Sequence, residues 1–135
     1  MTVRDHMTTK VFTLRLDKKV LAAKEIMDWA HVRHVPVLDE QGKLAGMVSH
    51  RDVLHASLAS LAERVADVER RRHLFTLSIE NLMRKPVTTI APGAQVQEAA
   101  RLMRELKIGC LPVVEEGKLV GIITEHDLLG IVEKM

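Results

Sequence analysis

The sequence predicts an α/β fold of the α+β kind, two tandem β-α-β-β-α repeats packed face to face as one module. Three observations predict it. The run "GMVSHRD" at 46–52 returns as "GIITEHD" at 121–127, so something is built twice. Apolar residues recur with helical spacing at matched places in both halves. Each such stretch is followed by two β-rich runs around a polar, glycine-containing turn.

The elements follow in order. Met7 matches Met83, Val11 matches Val87, Thr13 matches Thr89 and Pro36-Val37 match Pro112-Val113, all displaced by 76 residues. Val20, Ala23, Met27 and Ala30 form one face of a helix, and Val96, Ala99, Met103 and Leu106 repeat the spacing. Two strands come next, "HVPVL" and "LAGMVS" in the first copy and "CLPVV" and "LVGIIT" in the second. The offset then drops to 75, because "DEQGK" at 39–43 is answered by the shorter "EEGK" at 115–118, a length change that a hairpin turn tolerates. A second helix starts at Ser49 or Thr124. The expected division is repeat 1 at 1–62, a helical linker at 63–78 and repeat 2 at 79–135.

Composition narrows the function. The 135 residues are 47% hydrophobic and 28% charged, which suits a globular protein with one sizeable core. Phe12, Trp29 and Phe75 are the only aromatic residues, too few for a base-stacking platform, and a net charge of +2 gives no electrostatic case for nucleic acid. One cysteine, Cys110, cannot form an internal disulfide, and no 18-residue apolar run is present. The expectation is a cytoplasmic protein without a membrane span.

Ser49 with Asp52, and Thr124 with Asp127, admit two readings. A hydroxyl residue followed three positions later by an acid is a capping-box signature, although an aspartate is short for the reach back. Alternatively, a helix N-terminus favours a phosphate, the hydroxyl adds a hydrogen bond, and a carboxylate can accept both hydroxyls of a ribose. Gly46 and Gly121 mark places where backbone passes close to a ligand or a neighbouring strand.

The openings "DHMTTKVFTL" and "NLMRKPVTTI", with the runs "HVPVLDEQGKLAGMVSHRDVL" and "CLPVVEEGKLVGIITEHDLL", resemble a tandem pair of cystathionine-β-synthase (CBS) domains over residues 3–54 and 79–131. The resemblance implies a stand-alone regulatory module, no enzyme, that binds AMP, ADP or ATP in clefts between the repeats. Carried over by position, Ser49 and Asp52 would meet phosphate and ribose in one cleft, and Thr124 and Asp127 in the other. It places the base against Val11, Phe12, Thr13, Val35 and Pro36 in one site, and against Val87, Thr88, Leu111 and Pro112 in the other. His50 and Arg51 flank the first motif and Glu125 and His126 the second, so the first site is expected to prefer more highly phosphorylated ligands. S-adenosylmethionine, which needs no phosphate, is an alternative ligand. A ligand-free protein-interaction module is an alternative function.

Other features carry less. His31 with His34, and His50 with His55, lack an acid or cysteine partner, so no metal site is expected. Cys110 reads as a buried thiol, no set of residues reads as catalytic, and Met47 reads as core with a ligand contact as the second reading. Leu54, Leu58, Leu61, Val65 and Val68 have coiled-coil spacing, Asp67 and Arg71 can pair across a turn, and "ERRRH" at 69–73 reads as a solvated helix end or an acidic-partner patch. The family commonly forms disc-shaped dimers. A homodimer is therefore expected, with the 54–72 helix as a candidate contact and a regulated protein of unknown identity as partner.

Overall fold

The structure, a computed structural model, describes residues 1–62, 72 and 76–135, with side chains undescribed over 58–62. The elements are α1 (Val3–His6), β1 (Leu14–Arg15), α2 (Val20–Ala30), β2 (His34–Leu38), β3 (Leu44–Ser49), α3 (His50–Ala62), α4 (Ile79–Leu82), α5 (Val96–Leu106), β4 (Cys110–Glu115), β5 (Lys118–Thr124) and α6 (Glu125–Glu133). Among the described residues no helix is long and apolar enough to cross a membrane.

The chain divides into two compact units that cut across the sequence repeats. Phe12–Val87 form one, here the Ser49 unit; Met1–Val11 together with Thr88–Met135 form the other, the Thr124 unit. Each repeat's opening segment therefore packs with the strands of the other repeat. The division at 1–62, 63–78 and 79–135 describes the sequence period, and the compact bodies follow a different partition.

In the Ser49 unit β1 pairs in parallel with β2, and β2 runs antiparallel to β3. In the Thr124 unit β4 and β5 are antiparallel, and Ile90 meets Val113 through a single parallel bridge where the other unit has β1. The first strand is short, Leu14–Arg15, and Val11, Phe12 and Thr13 precede it. The extra residue of the first turn has a local reason. Glu116 and Gly117 both have positive φ, 51° and 79°, the two-residue turn whose twist matches a hairpin. Asp39 instead opens a three-residue loop, its carboxylate accepting from the N–H groups of Gln41 and Lys43 at 2.9 Å, and Gly42 closes it at φ 80°.

The two cores repeat nearly residue for residue. Leu14, Val20, Ala23, Met27, Val35, Val37 and Val48 are buried together in one unit. Their counterparts Ile90, Val96, Ala99, Met103, Leu111, Val113 and Ile123 form the other. The opening segments complete them crosswise, Ile79 in the first cluster and Val3 in the second. Backbone bonds fix the exchange. Val3 N–H donates to the Ala94 carbonyl at 2.8 Å, and Ile79 N–H donates to the Lys18 carbonyl at 3.0 Å. The helical stripe ends one turn early, because α5 is closing at Leu106, which is exposed, and Ala30 is only half-buried. His31 and Lys107 cap these helices in the left-handed region, so His31 and His34 do not share a helix.

Of the expected linker seam, only the Leu54 side chain is described, and it is exposed. The remaining seam side chains, the Asp67–Arg71 pair and, Arg72 apart, the 69–73 run lie outside the described residues.

Candidate functional site

Each unit sets a hydroxyl residue at the end of a strand and an aspartate in the first turn of the helix that follows. Ser49 ends β3 and Thr124 ends β5. The Ser49 N–H donates to Asp52 Oδ2 at 3.0 Å, and the Asp52 N–H donates to Ser49 Oγ at 3.2 Å. The Thr124 N–H donates to Asp127 Oδ2 at 2.9 Å, and the Asp127 N–H returns to Thr124 Oγ1 at 3.3 Å. Both capping boxes are formed, and the expected poor reach of aspartate is corrected: the strand-to-helix corner brings the carboxylate to the N-cap amide. Each box contributes about 1 kcal/mol to holding that corner.

The helix ends offer fewer free amides than the sequence suggests. His50 N–H donates to the Arg33 carbonyl at 2.7 Å, and Glu125 N–H donates to the Gly109 carbonyl at 3.0 Å. With the Asp52 and Asp127 amides used in the boxes, two of the first three N–H groups of each helix are already satisfied within the protein. Attraction for an anion must then come largely from side chains.

A further residue reaches each aspartate. Arg84 donates from Nε at 3.3 Å and Nη2 at 3.2 Å to Asp52 Oδ1. Thr8 Oγ1 donates to Asp127 Oδ1 at 3.2 Å. Arg84 and Thr8 occupy matched positions, each directly after the matched methionine. Each is held as an extra rung beside the third strand: Arg84 N–H donates to the Met47 carbonyl at 2.8 Å, and Thr8 N–H to the Ile122 carbonyl at 2.7 Å. Sequence reasoning missed both. The signal present was a polar residue replaced by a cation at one matched position next to an otherwise repeated motif.

The same rungs explain the glycines. A Cβ on Gly121 would stand 2.9 Å from the Thr8 carbonyl oxygen, and one on Gly46 would stand 3.1 Å from that of Arg84 and 2.8 Å from Met83 Cγ. The close approach is made by the opening segment of the other repeat.

The predicted contact residues separate into exposed and buried sets. Arg51 and His126 are exposed beside their motifs, Thr13 and Thr88 are exposed, and Val11, Phe12 and Val87 are half-buried. Phe12 meets the exposed Trp29 edge-on, ring centres 5.7 Å apart. Val35, Pro36, Leu111 and Pro112 are fully buried, and Val35 and Leu111 belong to the core clusters, so their side chains are committed to packing. Asp52 is 8% exposed, the one buried charged residue among those described, whereas Asp127 is half-exposed. Met47 is buried. Cys110 is buried as well, and burial, helped by the Asp127 charge, pushes its thiol up to about 12, which leaves it protonated and unreactive. Among the described residues no three histidine, cysteine or acidic side chains gather as a metal site.

A family model for the CBS domain matches residues 3–59 and 79–134. A CBS domain-containing protein from Dictyostelium discoideum is 32% identical over 135 residues, 98% of this chain and 92% of its own length. Enzymes are also among the relatives, but the matched region makes up only 14% to 25% of them. Of the solved structures, the CBS domain pair of the protein MJ0100, in complex with 5′-methylthioadenosine and S-adenosylmethionine, is 25% identical. Its TM-score is 0.83 over 99% of this chain and 97% of that one. The protein CBSX2 in complex with AMP is 28% identical with a TM-score of 0.79, covering 98% of this chain and 96% of that one.

Proposed function

The chain belongs to the CBS-domain family, and on that premise we propose that it is a regulatory module, with no catalysis of its own, that senses an adenine nucleotide and passes the change to a partner protein. The observation that carries this reading is the duplicated strand-to-helix corner, in which a carboxylate keeps acceptor capacity beyond its capping bonds. A carboxylate has about four lone-pair positions. Asp127 uses three of them, for the Thr124 amide and the hydroxyls of Thr124 and Thr8. Thr8 can rotate its hydroxyl away at little cost, so Asp127 can take a ribose diol. AMP in one relative, and methylthioadenosine and S-adenosylmethionine in another, support an adenosyl group as the shared part of the ligand.

Regulation follows from linkage. A ligand that binds one arrangement of the module better than another shifts affinity for the partner by the same factor that the partner shifts its own. A cytoplasmic homodimer is the form we propose. S-adenosylmethionine is the second reading, favoured at Thr124 because a neutral Thr8 and the acidic Glu125 suit a ligand without phosphate.

Isothermal titration calorimetry with AMP, ATP and S-adenosylmethionine tests the proposal, on the wild type and on Asp52→Asn and Asp127→Asn. Saturable binding, weakened about tenfold by one or both variants as expected for a lost hydrogen bond to a charged group, supports it. Absence of heat with every ligand sinks it and leaves the aspartates as caps alone.

A further inference from the structure

We propose that Arg84 determines ligand charge at the Ser49 unit, and that its matched Thr8 leaves the Thr124 unit to ligands with little or no phosphate; this rests on the adenosyl-binding reading above. The two positions are equivalent in backbone, each a rung beside the third strand, and differ in what their side chains do to the aspartate. Arg84 places two donors on one oxygen of Asp52, while the other oxygen takes the Ser49 amide. Asp52 is therefore occupied on both oxygens and its charge is compensated. Asp127 meets only hydroxyl and amide donors and keeps its negative charge uncompensated among the described contacts.

A guanidinium has five N–H donors in a rigid fork, and Arg84 commits two of its N–H-bearing nitrogens to Asp52 while its side chain stays 62% exposed. It can hold a phosphate with the donors that remain, or release Asp52 and grip the phosphate with the whole fork. A neutral nucleoside offers no such replacement and must compete with the ion pair for the carboxylate. The surroundings agree in sign. Arg33, whose carbonyl holds the first amide of α3, and Arg51 are exposed in the Ser49 unit; Gly109 and His126 take those places in the Thr124 unit, beside the exposed Glu125. With two of three helix amides satisfied internally, the difference in cations decides which unit attracts polyphosphate.

The test is the ratio of ATP to adenosine affinity, measured by titration calorimetry on the full chain for the wild type, Arg84→Thr, Arg84→Lys and Thr8→Arg. Arg84→Thr is expected to weaken ATP about tenfold, the scale of one charge-assisted hydrogen bond, and to leave adenosine unchanged or tighter as Asp52 is released. Arg84→Lys keeps the charge without the fork and should fall between. Thr8→Arg should raise the ratio at the other unit. Equal changes for ATP and adenosine overturn the inference while leaving nucleotide binding intact. Failure of the wild type to bind either ligand overturns the inference and the reading beneath it together.

Discussion

The Ser49 unit and the Thr124 unit have cores built from matched residues and different sites. From Leu14 against Ile90 to Val48 against Ile123, apolar positions are filled by residues of similar size, and each helix begins with the same reciprocal cap. The divergence lies where packing does not dictate the residue. The Arg84 side chain is mostly exposed although its partner Asp52 is buried, so the fold tolerates either a threonine or an arginine at that rung. Duplication thus preserves what is buried and leaves chemistry free to change at the rim.

The exchanged segments carry the most stability of the features that pair the two units. Ile79→Ala removes a fully buried side chain from the Ser49 unit and should cost about 2–5 kcal/mol, read as a lower urea midpoint by circular dichroism. Val3→Ala should destabilise the Thr124 unit for the same reason, by less, since a smaller side chain is lost. If both variants unfold like the wild type, the opening segments are not part of the opposite cores.

The two glycines differ in how closely the backbone of the opening segment approaches them. Gly121→Ala sets a methyl group 2.9 Å from the Thr8 carbonyl oxygen and should cost ~1–3 kcal/mol in the same assay. Gly46→Ala should cost less. At both glycines the tightest neighbour is a flexible methionine side chain, Met83 or Met7, and the difference lies in the backbone oxygen, 3.1 Å away for Arg84 against 2.9 Å for Thr8. The reverse order would show that the rung at Thr8 yields more easily than that at Arg84.

The smallest effect is one of pH. Hydrogen bonds from Thr2 hold the Asp5 carboxyl below its usual 3.8, while the matched position in the Ser49 unit is the non-ionising Asn81. A carboxylate with a lowered folded value stabilises fully above the unfolded value and loses that contribution as pH falls through the folded one. Asp5→Asn should therefore flatten a slight loss of stability below pH 3.8, and a carboxyl NMR titration should place Asp5 lower than in the unfolded chain. No corresponding change is expected from Asn81→Ala.

Much was legible because it is local. Helix stripes have a period of 3.6 and strands a period of 2, so Val20, Ala23 and Met27 announce their face, and the turn around Gly117 announces its hairpin. Ser49 and Asp52 were found as a pair because they sit three residues apart. Their reciprocal bonding is not legible in that spacing, since whether an aspartate reaches its N-cap depends on the local backbone geometry. The expected base-lining residues divide by burial in a way no pattern reveals: Val35 and Leu111 are wholly committed to the core.

The repeat, its elements, its core stripes and the family are legible in the sequence, since each is written in local spacing or in the return of the same motifs 75 to 76 residues later. Which opening segment completes which core, and so which residue meets each aspartate, depends on the tertiary fold. Thr8 lies 119 residues from Asp127 and Arg84 lies 32 from Asp52. The two openings are alike in sequence, and each is fixed by hydrogen bonds to a strand edge and by a glycine that lets its backbone approach. Those are pairings between distant segments, and periodicity along the chain carries no information about them.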